Sequence, residues 1–176
     1  MGQDRRVSSS SFVVRRARTA DVPGIAALVE PLVQKRILLG KDLVVFYESI
    51  QEFVIAEDAD GELIGCGALH VIWEDIGEVR TLAVRESSLR RGVGRALLTR
   101  LEEEAAELGL TRLFCLTFET EFFGRNGFLP IGEQVVPPEV YAELVRSSDE
   151  GVAEFLDLAR VKPNTLGNTR MLKLLS

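Results

Sequence analysis

The sequence predicts an α/β (α+β) protein built on a mixed central sheet with helices on both faces. Three observations carry that prediction. Apolar runs of strand length alternate with stretches of helical period. The early runs are joined by tight turns, as in hairpins, whereas later ones are separated by helices, as in crossovers. The order β-α-α-β-β-β-α-β-α-β is also not the regular alternation of a doubly wound nucleotide fold.

Phe12 to Arg15 reads as the first strand. Thr19-Ala20-Asp21-Val22-Pro23 is a helix start, a capping residue followed by proline in the first turn. Ile25, Leu28, Val29 and Leu32 give that helix its apolar stripe, and a second helical stretch runs from Lys41 to Ile50. Phe53–Ala56 and Leu63–Val71 flank the hairpin turn Asp58-Ala59-Asp60-Gly61-Glu62, and Gly77–Val84 follows as a third strand of that group. A long helix comes next, with Leu97, Leu98, Leu101, Ala105 and Leu108 on one face, Glu102, Glu103 and Glu107 on the other, and Gly109 at its end. Leu113–Thr117 is a short strand, Glu119–Asn126 a short helix stopped by Gly127, and Phe128–Ile131 another strand. Pro137-Pro138-Glu139 opens a helix through Val145, while Ala153–Leu158 and Arg170–Leu175 read as late strands.

Residues 1–11 are polar and serine-rich and read as a disordered lead; 12–176 then form one domain, long enough for a full core. A net charge of −6 and a pI near 5.0 argue against nucleic acid as a partner, which calls for a basic footprint. No long apolar span suggests a membrane, and no secretory leader is evident, so a cytoplasmic location is expected. Cys66 and Cys115 lie inside apolar runs and read as buried thiols. His70 is the single histidine and makes no metal site, so no metal is expected.

The most informative stretch is Leu89-Arg90-Arg91-Gly92-Val93-Gly94-Arg95, where the long helix begins. Basic side chains at a helix N-terminus are unfavourable, because the macrodipole and the unpaired first-turn N–H groups already place positive charge there. An anion seated on the turn neutralises all of it, and Gly92 and Gly94 let backbone approach that anion closely. The stretch therefore reads as a diphosphate-binding turn. A P-loop is excluded by the missing Lys-Ser/Thr ending, and the dinucleotide fingerprint lacks its third glycine.

This turn resembles the Gln/Arg-x-x-Gly-x-Gly/Ala motif of the GNAT family of N-acetyltransferases, with Leu89 standing where Gln or Arg is usual. The family's later Asn/Lys-Gly-Phe signature is matched by Phe122-Phe123-Gly124-Arg125-Asn126-Gly127-Phe128, and the element order agrees from Phe12 to Ile131. The resemblance implies the acyl-CoA N-acyltransferase fold and acetyl-CoA as cosubstrate. It implies that Arg90, Arg91, Gly92, Val93, Gly94 and Arg95 hold the pyrophosphate. It also implies that the strand Thr81-Leu82-Ala83-Val84 exposes backbone to the pantetheine arm, with the Leu82 N–H aimed at the thioester carbonyl. Phe123 and Asn126 fall at the cofactor. Phe123 stands where many members carry the tyrosine that protonates the leaving thiolate, which leaves Thr117 and Asn126 as candidates for that task.

Within the family, Arg36-Ile37-Leu38-Leu39, Gly65-Cys66-Gly67-Ala68-Leu69, Gly77-Glu78-Val79 and Leu113-Phe114-Cys115-Leu116-Thr117 are most similar to the acetyltransferase domains of the N-acetylglutamate synthases, in their short stand-alone form. That resemblance implies acetyl transfer to the amine of L-glutamate, the first step of arginine biosynthesis, with Glu78 as general base. Glu78 and Arg80 lie two apart on one strand and share a face. A substrate with two carboxylates needs cations, and Lys41, Arg80 and Arg170 are the candidates, with Thr81 beside them and Lys162 a weaker choice. Glutamine or another small amine, and a non-catalytic acetyl-CoA sensor, are the alternatives. Residues 137–168 exceed the usual connection before the last strand; that segment, with the turn-rich stretch Pro163–Asn168, is expected to cover the substrate or to form a homodimer contact.

Overall fold

The structure, a computed structural model, describes residues 11–165 and 167–176. Of the expected polar lead, residues 1–10 lie outside the described residues. The chain runs β1 (Phe12–Arg16), α1 (Val22–Gln34), α2 (Leu43–Glu48), β2 (Phe53–Asp58), β3 (Leu63–Val71), β4 (Ile76–Val84), α3 (Val93–Glu107) and β5 (Arg112–Thr117). It continues through α4 (Thr120–Arg125), β6 (Leu129–Pro130), α5 (Pro138–Leu144), α6 (Glu150–Phe155), α7 (Lys162–Thr165) and β7 (Thr169–Leu174). The strands form one sheet in the order β1-β2-β3-β4-β5-β7-β6. Every pairing is antiparallel except β4 with β5, which the α3 crossover makes parallel.

The sequence expectations hold for most elements, with shifted ends. The expected helix over Lys41 to Ile50 is shorter, α2 followed by a 3₁₀ turn at Ile50–Glu52. Two expectations fail. Residues 153–158 are not a strand: Val152, Ala153 and Phe155 belong to α6, and Leu156 caps it. An apolar run this short has no decisive period, and the Asp149 side chain, accepting from the Val152 N–H at 3.0 Å, starts a helix there. Leu108 is also not part of the core face of α3. It is 61% exposed, because the helix has reached its C-cap and turns away at Gly109, whose φ is +84°.

The core divides into three clusters around the sheet. On one face α3 packs Leu97, Leu98 and Leu101 against Val54, Ile64, Val79 and Leu113. On the other face α1 and α2 lay Ile25, Val29 and Phe46 over Ile55, Cys66, Ala68 and Ala83. Farther along that second face, α5 and α6 lay Leu144, Val152 and Phe155 over Ile76 and Phe114. Each such fully buried side chain contributes on the order of 1.5–3 kcal/mol relative to exposure. The face shared by α1–α2 and α5–α6 is thus covered at both ends, and β4 runs between the two covers.

Candidate active site

β4 is irregular where the site lies. Cys66 pairs with Ala83 and Ala68 with Arg80, so two steps on β3 oppose three on β4. That extra residue is a β-bulge, and Thr81 takes a left-handed φ of +54° within it. The Cys66 Sγ lies 3.4 Å from the Thr81 carbonyl oxygen. The bulge switches the side-chain alternation, so Ala83 joins Glu78 and Arg80 on the α1–α6 face. The parallel ladder between β4 and β5 also stops early, with Glu78 opposite Phe114 as its last pair. Beyond Glu78 the two strands separate, and among the described residues the β4 edge from residue 79 to 84, with Leu82 and Val84 partly exposed, has no strand beside it on the β5 side.

At the mouth of that gap stands the N-terminus of α3. Arg90 and Gly92 have φ values of +63° and +80°, conformations that turn successive N–H groups inward as an anion nest. α3 has no side-chain cap and no acidic residue in its first turn. Among the described residues neither Arg90 nor Arg95 has a carboxylate partner, and both are exposed. Arg91 Nη1 lies 3.4 Å from the Ser88 hydroxyl. A Cβ on Gly92 would meet nothing, and one on Gly94 would sit in ordinary contact with the Phe122 ring of α4, at 3.4 Å. Val93 is buried in the core and anchors the turn.

One strand back, Glu78 is 3% exposed. Its Oε2 accepts from Arg80 Nε at 2.9 Å and lies 2.8 Å from Nη2. Arg80 then forks onto Asp149, Nη1 to Oδ2 at 3.1 Å and Nη2 to Oδ1 at 2.6 Å. A guanidinium has five N–H groups, so these contacts leave Arg80 with a single N–H, on Nη1. His70, directly across the ladder from Glu78, places Nδ1 2.7 Å from Glu52 and Nε2 3.8 Å from Asp149. Lys41 reaches in from the turn just before α2, its Nζ 3.4 Å from the Thr81 hydroxyl. Gly151 makes the packing possible: a Cβ there would collide with Glu78 Oε2 and Arg80 Nη2.

Burial shapes the charges. Loss of solvent lifts the Glu78 carboxyl above its ordinary range, and Arg80 offsets part of that rise. Burial also opposes the charge on Arg80, but Glu78 and Asp149 outweigh it and keep the guanidinium charged. Burial works against the Asp149 carboxylate too, yet hydrogen bonds from Arg80 and the Val152 N–H hold it below the usual range. Lys41 is lowered by burial and by the charge of Arg80.

The remaining sequence candidates fall elsewhere. Thr117 closes β5, and its hydroxyl accepts from the Glu119 N–H at 2.8 Å. Asn126 donates to the Phe122 carbonyl at 2.8 Å. The Phe123 ring is in the core, edge-on to both Phe122 and Phe128. Arg170 is not among the partners of Glu78. It sits opposite Leu116 on β7, donates to the Phe155 carbonyl and, with Lys162, lines a separate hollow of about 250 Å³. Burial lowers Arg170, whose Nε finds no hydrogen-bond partner among the described residues. Lys162 is paired with Asp157 at 2.5 Å. The sequence reading missed Asp149, Gly151, Glu154 and Glu52. Ser-Ser-Asp-Glu ahead of an apolar run was the available signal for Asp149, as a helix cap.

Among the described residues no three His, Cys, Asp or Glu side chains converge as a metal site, and no helix is long and apolar enough to cross a membrane. The uncapped cationic turn before α3, the open edge of β4 and the buried Glu78 carboxylate all lie on β4 or the segment that follows it. The chain belongs to the acetyltransferase (GNAT) family, whose model matches residues 34–128. It is an acetyl-CoA-dependent amino-acid N-acetyltransferase. An amino-acid acetyltransferase of Mycobacterium tuberculosis is 56% identical over 165 residues, which span 93% of this chain and 94% of that protein. A Mycobacterium tuberculosis protein solved in complex with CoA superposes with a TM-score of 0.89 at 55% identity, over 93% of this chain and 99% of that one. The N-acetylglutamate synthase of Neisseria gonorrhoeae, complexed with coenzyme A and N-acetyl-glutamate, superposes with a TM-score of 0.75 at 28% identity over 95% of this chain. This chain spans only 36% of that synthase.

Proposed function

We propose that the chain acetylates the α-amine of L-glutamate, the first step of arginine biosynthesis, by direct attack with Glu78 as general base. The observation that carries this reading is the buried Glu78, gripped by Arg80 and placed one strand from an uncapped arginine turn. The pyrophosphate of acetyl-CoA fits the nest of Arg90 to Gly94, with Arg91 and Arg95 as countercharges. Its pantetheine arm fits the open edge of β4, where Leu82, Ala83 and Val84 offer backbone groups. An amine is a nucleophile only after it loses its proton. Glu78, whose affinity for a proton is raised by burial, takes that proton, and the free amine attacks the thioester carbonyl. An N–H donor such as that of Leu82, aimed at the carbonyl oxygen, contributes on the order of 3 kcal/mol to the transition state. The C–S bond then breaks and CoA departs as its thiolate.

The acceptor's carboxylates are met by cations on the same face. Arg80 lies beside Glu78, and Lys41 reaches the neighbouring Thr81 hydroxyl, whereas Arg170 lines the separate hollow on β7. The segment 137–168 covers this acceptor side through α6. A chain that runs at twice its monomer mass in solution would add a homodimer contact to that role, and a monomer mass would remove it.

A second acceptor, glutamine, is favoured by one observation. Arg80 already faces two carboxylates, and Lys41, which makes no ion pair among the described residues, is the cation left for the acceptor. A neutral amide side chain suits that charge balance. The deciding experiment is thiol release from acetyl-CoA across a panel of amino acids. Glutamate as the acceptor with the highest kcat/KM supports the main reading, glutamine supports the second, and no release with any acceptor leaves a sensor of acetyl-CoA.

A further inference from the structure

Arg80 meets its two carboxylates with different edges. Asp149 takes the end of the guanidinium as a fork, Nη1 to Oδ2 at 3.1 Å and Nη2 to Oδ1 at 2.6 Å. Glu78 meets the side edge, with Nε at 2.9 Å and Nη2 at 2.8 Å. A side edge can pair with both oxygens of a carboxylate, one to each nitrogen. Here both nitrogens converge on Oε2, and Oε1 of Glu78 accepts no hydrogen bond among the described residues. Asp149 is itself fixed. It is the N-cap of α6, where its Oδ1 accepts from the Val152 N–H at 3.0 Å, and its own N–H donates to the Ser147 hydroxyl at 3.1 Å.

We propose that Asp149 is a positioning residue for the base: by gripping the end of the Arg80 guanidinium it holds Arg80 on Oε2 of Glu78 and leaves Oε1 to take the proton of the acceptor amine. The inference rests on Glu78 being the base.

The chemistry calls for such a restraint. A carboxylate held by arginine through both oxygens is a poor base, because the incoming proton must displace a charge-assisted hydrogen bond. Glu78 and Arg80 lie two apart on one strand face, within reach of that geometry once the far end of Arg80 is released. Asp149 also acts through its charge. Burial opposes that charge, but hydrogen bonds from Arg80 and the Val152 N–H hold the carboxyl below its usual range, so it is ionised at neutral pH. Burial raises the Glu78 carboxyl, and the negative charge of Asp149 adds to the rise. Besides Arg80 and Asp149, the groups facing Glu78 are His70 on β3, Lys41 before α2, the Cys115 thiol on β5 and Glu154 on α6. His70 Nε2 stands 3.8 Å from Asp149 Oδ2, and its Nδ1 is paired with Glu52. On transfer, the acceptor ammonium gives its proton to Oε1 and keeps the lone pair that attacks the thioester carbonyl. Arg80 stays on Oε2 of the acid so formed.

The test is the pH profile of kcat in the intact chain, with glutamate and in parallel glutamine as acceptor, beside Asp149→Asn, Asp149→Ser and Glu78→Gln. Asparagine and serine both cap helices, so α6 keeps its start, but neither carries the charge that holds the fork. In both variants the acid limb is expected to move down by about one pH unit, the low end for a lost neighbouring charge. The plateau kcat is expected to fall about tenfold, the weight of one charge-assisted hydrogen bond. Tm and the Kd for CoA stay close to those of the unsubstituted chain. A cap alone predicts unsubstituted kinetics for both, so a folded variant with the original limb and the original kcat overturns the proposal. Arg80→Lys supplies a second check, because lysine offers no fork. Adding Asp149→Asn to it should lower kcat no further, and a second tenfold fall would show that Asp149 does not act through Arg80. A Glu78→Gln variant that keeps the original limb overturns the base itself, so the two failures are distinguishable.

Discussion

At the scale of single residues, the site is a contest between burial and pairing. Glu78 is buried, so ionising it is unfavourable, and Arg80 returns only part of that loss. The sign for activity follows. A base works when deprotonated, so the rate should rise with pH through a value above the ordinary carboxylate range, then level off. Glu78→Gln is expected to lower kcat by 10²–10⁴-fold, the usual weight of a general base, while the Kd for CoA stays within about twofold. Equal rates for the variant and the unsubstituted chain between pH 7 and 9 would remove Glu78 from the role. Gly151→Ala tests the packing on the same pair. A methyl group there collides with both Glu78 and Arg80, and such overpacking costs about 1–3 kcal/mol. Thermal unfolding should show that loss, and kcat should fall because the base is displaced; a variant as stable and as fast as the parent would show that α6 does not press on the pair.

At the scale of elements, local chemistry was legible in the sequence and long-range chemistry was not. The turn before α3 declares itself, because arginines and glycines at a helix start violate dipole rules unless an anion is bound. Glu78 and Arg80 also declare themselves, as paired charges on a strand otherwise made of core residues. Asp149 does not: it reaches Arg80 across a separation of 69 residues. Nothing in the local pattern of 137–168 says which strand that segment covers. The same segment produced the misread strand at 153–158, since four or five apolar residues suit either a buried helix or a strand and only the cap at Asp149 decides. The β4 bulge was equally silent, because no glycine marks it and Thr81 itself adopts the left-handed φ. For the turn, Arg91→Ala is expected to weaken CoA binding about tenfold, the weight of one charge-assisted hydrogen bond. Calorimetry with CoA measures it, and an unchanged Kd would take Arg91 out of the phosphate site.

At the scale of the whole molecule, a chain of net charge −6 must bind a strongly anionic cosubstrate. It does so by segregation: the carboxylates around β4 are tied to Arg80, whereas Arg90 and Arg95 stand unpaired among the described residues at the α3 turn. Two consequences can be measured together. Because exposed arginines supply part of the attraction, CoA affinity should weaken as salt rises from 0.05 to 0.5 M, conditions in which the screening length shrinks from more than to less than about 10 Å. Because the proposed site joins the α3 turn to the open edge of β4, ligand binding should also stabilise the folded chain. At a hundredfold excess over Kd, linkage gives about 2.7 kcal/mol, which for a chain of 176 residues is a rise in Tm of roughly 5–10 °C. The rise should shrink in high salt, since it follows affinity. In Arg91→Ala it should shrink by about half, because a tenfold weaker Kd at the same CoA concentration leaves only about 1.4 kcal/mol. A Tm that does not move with CoA at low salt would mean that the turn and the strand edge do not act as one site.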